Sequence, residues 1–336
     1  MSKKFTHLHL HTEYSLLDGA GKIKKLIKKA KELGMDSIAI TDHGVMYGCV
    51  NFYKEAKENG IKPIIGCEIY VAAKSMDIKN PDKDNKTHHL VLLAKNEEGY
   101  RNLMAIVSEG SIRGFYYKPR VDHEFLRNHS AGLIALSACL GGEVQSWHLR
   151  NNYEKAKEKA LLYKDIFKEG FYLEIQDHGM EEQKKVIEEN IKLSRETGIP
   201  LVATNDVHYI EKKDSEAHDV LMCIQTAKSI DDPNRKRYPS NKFYLRSQEE
   251  MWDIFDYIPE ALENTRKIAD ECNFDYEFHK SKLPKFPLEE GVDPYLYLRE
   301  VCYKGLIDRY DMFKSFREKP LNVEEFVDSF KNNEET

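Results

Sequence analysis

Between Phe5 and His11 the chain alternates strictly, with His7, His9 and His11 separated by Leu8 and Leu10. A period of two is that of a strand, whose successive side chains face opposite ways. Three imidazoles therefore share one face and two leucines the other. The pattern then turns helical: Ile23, Leu26, Ile27, Ala30 and Leu33 mark a helix over 20–33, ended by Gly34. Further strands are predicted over 36–41, 62–66, 89–94, 132–137, 171–176 and 199–204. Helices fall between most of them, over about 47–58, 97–109, 141–149, 153–168 and 181–197. Strand then helix, repeated in this way, predicts parallel strands joined by helical crossovers.

Past residue 230 the alternation stops. Residues 231–246 interleave basic and aromatic side chains: Arg235, Lys236, Arg237, Tyr238, Lys242, Tyr244 and Arg246. Ser247 and Glu250 have capping-box spacing and open a helix that Pro259 interrupts and that resumes to about 272. Asp293-Pro294 opens another, and Asn322 with Glu325 caps a last one bearing an apolar stripe of Val323, Phe326, Val327 and Phe330. Two domains follow: an α/β domain over 1–230 and a mostly helical extension over 231–336.

Composition changes this picture little. The 336 residues are 41% hydrophobic and 32% charged, as in globular proteins. No run of apolar residues is long enough for a membrane span, and no secretion signal opens the chain, so a cytoplasmic protein without a membrane partner is expected. Six scattered cysteines without a Cys-x-x-Cys pair suggest reduced, mostly buried thiols. A net charge of −6 leaves nucleic-acid contact to local basic patches or to metal ions. The six lysines of the 20–33 helix read as a solvated face.

The chemistry lies at the strand ends. His43, Glu68, Cys139, His178, Asp206 and His208 each fall just past a predicted strand, where the loops of barrel-like α/β folds build their sites. Three histidines within five residues, followed by Asp18, point to metal binding rather than to packed core histidines. Adjacent His88 and His89 face opposite ways on a strand, and spacing alone does not choose between them. His7 reads as packed beside the ligand face, and Asp177 and His178 as supporting or substrate-contacting residues. Asp42 suits either an imidazole partner or a helix cap, and Arg113, Lys118 and Arg120 suit a solvated loop.

Four phrases carry a resemblance: His9-Leu-His-Thr-Glu-Tyr-Ser-Leu-Leu-Asp-Gly19, Gly60-Ile-Lys-Pro-Ile-Ile-Gly66, Leu136-Ser-Ala-Cys-Leu140 and Ala203-Thr-Asn-Asp-Val-His208. They resemble the polymerase-and-histidinol-phosphatase (PHP) superfamily of metal-dependent phosphoesterases, and within it the N-terminal domain of bacterial DNA polymerase III alpha subunits. The stretch Asn241–Trp252 is similar to the continuation of that subunit, and the resemblance extends to about Tyr310. It implies a distorted seven-fold (β/α) barrel followed by the start of a polymerase region. It also implies three divalent ions. His9, His11, Glu68 and Asp206 would hold the first; Glu68, His89 and Cys139 the second; Asp18, His43 and His208 the third. Imidazole and thiolate donors favour zinc, with manganese or iron as alternatives.

Three functions fit these residues. The first is a metal-dependent 3′–5′ exonuclease acting at the 3′ end of a DNA primer, with other polymerase III holoenzyme subunits as partners. The second is a phosphatase for a small phosphomonoester such as histidinol phosphate; the polymerase-like extension and Cys139 count against it. The third is a catalytically silent scaffold stabilised by its metals. DNA synthesis itself is not expected, since the one Asp-x-Asp, Asp82 and Asp84, lies in a polar loop.

Overall fold

The computed structural model describes residues 4–80, 86–280, 283–317 and 321–333; Asp82 and Asp84 lie outside these. Two compact units make up the chain, Met1–Tyr276 and Glu277–Thr336.

The first unit is built on one sheet. Its strands among the described residues are β1 (Ser37–Ile40), β2 (Lys62–Ala72), β3 (Thr87–Ala94), β4 (Arg120–Val121), β5 (Leu133–Leu136), β6 (Phe171–Ile175) and β7 (Leu201–Ala203). Their order is β1-β2-β3-β5-β6-β7, with the short β4 beside β2. Most strands are apolar on both faces and buried on both, as strands covered by helices must be. The covering helices are α1 (Ile23–Glu32), α2 (Cys49–Glu58), α3 (Glu97–Ile112), α4 (His123–Asn128), α5 (Glu143–Leu149), α6 (Tyr153–Phe167), α7 (Glu181–Thr197) and α8 (Ser215–Thr226). Short β4, α4 and α8 carry too little periodicity to be read from the sequence.

The all-parallel expectation needs correction. Neighbours β1 and β2, β5 and β6, and β6 and β7 run parallel, but β3 is antiparallel to both β2 and β5. The connection explains this: no helix forms between Ala72 and Thr87 among the described residues, and a parallel return requires a crossover, usually helical. The reversal brings the start of β3, with His89, to the end of the sheet where the other strands finish. Strand β2 also runs further than predicted, so Glu68 sits within it rather than past its end.

The histidine-bearing segment is extended but forms no regular ladder. Its backbone bonds alternate between two neighbours: Ala39 N donates to His7 O (2.9 Å) and Thr41 N to Leu10 O (2.9 Å) on one side. On the other, Val207 N donates to His9 O (3.2 Å) and His11 N to Val207 O (2.8 Å). Side chains replace several ladder partners, since Phe5, Thr6 and Leu10 donate their N–H groups to Gln248, Thr265 and Thr41. Lying between β1 and the chain just past β7, the segment joins the two edges of the sheet. Leu8 and Leu10 are fully buried in apolar clusters, as the alternation predicted.

Residues 231–276 belong to this first unit. Ser247 and Glu250 form the predicted capping box at the start of α9 (Gln248–Ile254). Helix α10 (Pro259–Glu271) has Pro259 at its first turn, where a missing N–H costs nothing. Its Asn264 donates to Leu201 O (2.7 Å), and Ala269 O accepts from Lys62 Nζ (2.6 Å). Both partners start strands, so α10 covers the end of the sheet opposite the functional residues.

In the second unit, α11 (Pro294–Arg309) is capped by Asp293, and α12 (Val323–Asn333) by Asn322. Ile307, Phe313 and Phe326 form its small core. Phe326 thus packs within the unit, while the Phe330 side chain lies outside the described residues. No described helix is long and apolar enough to cross a membrane.

Candidate metal centre

All nine residues singled out in the sequence come to one end of the sheet. His9 and His11 project from the joining segment, His43 follows β1, Glu68 lies in β2 and His89 in β3. Cys139 follows β5, and Asp206 and His208 follow β7. Asp18 sits on a turn that Gly19 allows: a Cβ there would lie 2.1 Å from Thr12 O. Three overlapping groups have donor atoms within 4.8 Å of one another: His9, His11 and Asp206; His11, His43 and His208; His43, Glu68 and His89.

Glu68 is the hub. Its oxygens lie 3.4 Å from His9 Nε2, 3.4 Å from His11 Nε2, 2.7 Å from His43 Nδ1 and 2.8 Å from His89 Nδ1. Cys139 Sγ is 3.7 Å from His89 Nδ1 and 3.9 Å from Glu68. Asp206 Oδ1 lies 3.2 Å from both His9 Nε2 and His11 Nε2. Asp18 approaches His43 Nε2 (3.3 Å) and His208 Nε2 (3.8 Å). His89, rather than His88, joins this set.

In three of the rings, those of His9, His11 and His208, the nitrogen turned away from the centre is fixed by a partner. His9 Nδ1 donates to Glu174 (2.7 Å), His208 Nδ1 to Asp206 O (2.8 Å), and His11 Nδ1 pairs with Ser15 Oγ (3.1 Å). Such partners set the tautomer and aim Nε2 inward. Yet four inward atoms, His9 Nε2, His11 Nε2, Glu68 Oε2 and Asp206 Oδ1, are buried without a well-formed hydrogen bond. Buried polar atoms left unpaired are costly, and several converging on one space suit a cation.

Electrostatics agree. Burial opposes charge on His9, yet Asp206, Glu174 and Glu68 hold its pKa well above the ordinary histidine value. Burial is likewise outweighed at His43, which Glu68 and Asp18 raise to about 10. His11 is pushed down to about 3 by burial and by neighbouring His43 and His208. Burial also opposes ionisation of Glu68 and Asp206, but the surrounding imidazoles keep both carboxyls far below the usual range. Burial, then Glu68 and Asp206, push the Cys139 thiol up. The buried carboxylates stay ionised and favour positive charge on whatever lies between them, as a site for divalent cations should.

Strain accompanies the donors. Asp206 (φ 44°) and Ala138 (φ 66°), which precedes Cys139, are left-handed. Aspartate tolerates that region; alanine pays about 1 kcal/mol or more for it.

Some residues went unseen in the sequence. Glu174, buried in β6, accepts from His9, from Gln176 (2.9 Å) and from Thr204. A lone carboxylate in an apolar strand was its only signal. Tyr238 reaches in from the 231–246 stretch, its hydroxyl 3.0 Å from Asp18 Oδ1 and 2.7 Å from His208 Nε2. Other candidates have packing roles. Asp42 touches no imidazole directly; it accepts from Thr12 and Ser15, and Ser15 meets His11. His178 stacks on Phe243 (3.8 Å) and pairs with Asn205 O and Gln183. His7 pairs with Arg246 O (2.9 Å). Arg120 is not solvated but buried, donating to the carbonyls of Gly114, Met76 and Ile78.

Beside Cys139 and Asp206 opens a cleft of about 200 Å³, lined also by Gln176, Lys236, Arg237 and Tyr238.

Comparison with known proteins gives the family of the chain. The chain is 46% identical over 310 residues to DNA polymerase III subunit alpha of Borreliella burgdorferi, covering 91% of this chain and 27% of that one. It is 47% identical over 355 residues to DNA polymerase III subunit alpha of Helicobacter pylori, covering 96% and 29%. It therefore spans between a quarter and a third of these relatives' length. A solved two-domain protein from Bacteroides vulgatus, described as containing a predicted PHP-like metal-dependent phosphoesterase, is 13% identical with a TM-score of 0.40, covering 80% of this chain and 69% of that one. The PHP domain model matches residues 7–178, half of the sequence, and the chain belongs to the PHP domain family.

Proposed function

We propose that this domain hydrolyses phosphodiesters, acting as a 3′–5′ exonuclease at the 3′ end of a DNA primer during replication in the cytoplasm. The observation that carries the reading is the set of buried, unpaired donors beside a cleft rimmed by Lys236 and Arg237. His9, His11, Glu68 and Asp206 would hold one divalent ion, Glu68, His89 and Cys139 a second, and Asp18, His43 and His208 a third. Zinc suits this nitrogen, oxygen and sulfur set, with manganese or iron as alternatives, and such ions would lower the pKa of water and neutralise charge on phosphoryl oxygens.

The protein's own groups do the rest. Glu174 holds His9 in its tautomer, and Ser15 does the same for His11. Lys236 and Arg237 bind the phosphate, the guanidinium by its planar fork. Phe243 and the ring of Tyr238 (4.7 Å between centroids) wall the cleft and limit water. Residues 231–336 are the beginning of a polymerase region, and further polymerase III holoenzyme subunits are its partners.

The test is purified protein with zinc or manganese, given primers with a mismatched 3′ end and, in parallel, histidinol phosphate. Mononucleotide release that His9→Ala abolishes is the expected result. Turnover of histidinol phosphate alone would make this a small-molecule phosphatase. No turnover, together with a large thermal destabilisation in His9→Ala, would make it a metal-stabilised scaffold.

A further inference from the structure

Arg246 ends the basic and aromatic stretch and takes no part in the metal centre. It is only 4% exposed. Its Nε and Nη1 have no hydrogen-bond partner, and no carboxylate of the described residues forms an ion pair with it. The Tyr244 ring lies 5.7 Å from the guanidinium. Burying two nitrogens of a guanidinium without hydrogen bonds is unfavourable, and the group stays charged. The group asks for an anion.

There is room for one. Arg246 lines an open cavity of about 340 Å³ together with Lys212, Lys242 and Tyr244. Neither lysine has an ion-pair partner among the described residues. Asp177, Glu250 and Asp253 line the same cavity, and Asp177 and Glu250 act on the guanidinium across it without pairing with it, each held by other donors. Asp177 accepts from Gly179 N (2.7 Å), and Glu250 is held by Ser247 N (2.7 Å) and by the Tyr244 hydroxyl.

The cavity is tied to the metal centre by the Asn205 side chain and by a backbone bridge. Asn205, next to Asp206, donates to Lys242 O (3.0 Å) and Tyr244 O (2.8 Å), while Tyr209 and Tyr244 form a parallel bridge. The segment carrying Arg246 is thus the immediate neighbour of the one carrying Asp206 and His208.

We propose that this cavity is a phosphate subsite, with Arg246 as its anchor and Lys212 and Lys242 at its rim. The planar fork of the guanidinium matches phosphate oxygens, and the two ammonium groups add point charges. The phosphate comes from the backbone of a nucleic-acid strand or from free phosphate. Nothing in this assignment requires the metal centre to be hydrolytic.

The test uses the full chain with metals removed by chelation, so that the outcome is separate from any hydrolysis. One arm measures thermal unfolding in inorganic phosphate against chloride at equal ionic strength. The other measures fluorescence anisotropy of a short labelled oligodeoxythymidylate across a salt series. Arg246→Met and Lys242→Ala are compared with the parent and with Lys155→Ala, a remote lysine paired with Glu158. Loss of the phosphate-induced rise in Tm together with a DNA affinity about 3- to 10-fold weaker identifies a nucleic-acid phosphate. The salt slope should then fall by about one in Lys242→Ala. Loss of the Tm rise alone identifies free phosphate. Variants that keep the parent's phosphate response and DNA affinity, or a parent with neither, overturn the proposal. If Arg246→Met does not fold, Lys212→Ala with Lys242→Ala decides the matter.

Discussion

Glu174 shows how one buried carboxylate can govern a ring it does not share with substrate. Its bond to His9 Nδ1 decides which nitrogen faces inward. Glu174→Gln keeps the volume but weakens that preference, so zinc affinity should drop about 10- to 100-fold, read by competition with a chelating indicator. A second carboxylate, Glu143, works for stability. Burial opposes its ionisation, but His123, Tyr163 and Lys159 bind it, and its pKa falls to about 2 from an ordinary 4.5. A lowered pKa stabilises the fold above the unfolded value, and that contribution vanishes as pH drops from 4.5 to 2. Urea titrations across that range should show the parent losing on the order of 2–3 kcal/mol more than Glu143→Gln. At this scale the sequence was readable where residues came in patterns. His9-x-His11 and Asp206-x-His208 announced themselves by spacing, while the full set of nine, His89 among them, came from the family resemblance, and all nine meet in space. Glu174, Tyr238 and buried Arg120 did not, because a single residue in an apolar strand or polar loop carries no period.

Elements put these side chains in place, and their direction matters as much as their existence. The helices at 23–32 and 181–197 and the capping box at Ser247 followed from apolar periodicity and capping residues. The reversal of β3 did not, since a two-residue period is the same in either direction. The stretch between Ala72 and Thr87, where no helix forms among the described residues, was the available clue. Turns are equally exacting. Gly19 lets the turn bearing Asp18 press against Thr12, and any Cβ would meet immovable backbone. Gly19→Ala should cost about 1–3 kcal/mol in urea denaturation. Ser247→Ala removes a cap bonded to Glu250 N and should cost about 0.5–2 kcal/mol by the same measurement.

For the molecule as a whole, α10 matters more than its place beyond the strand–helix repeat suggests. It covers the sheet with Ala261, Leu262, Ile268 and Ala269 fully buried. A chain ended at Tyr276 should unfold cooperatively with a Tm near that of the parent's first unit. A chain ended at Thr226, at the close of α8, should expose that apolar surface and bind a hydrophobic dye. Zinc added to the shorter-by-sixty form should raise its Tm as mass action requires, and Asp206→Asn should blunt the rise.

The segment that joins the sheet's edges accepts hydrogen bonds from β1 nearby, exchanges them with Val207 and donates to Gln248 and Thr265 far along the chain. During translation those late partners emerge long after the first histidines. At about 5–20 residues per second the delay is roughly 10–50 s. Nascent chains arrested before Thr265 should therefore stay open to protease, and the ribosome must deliver nearly the whole barrel before its first residues find their place.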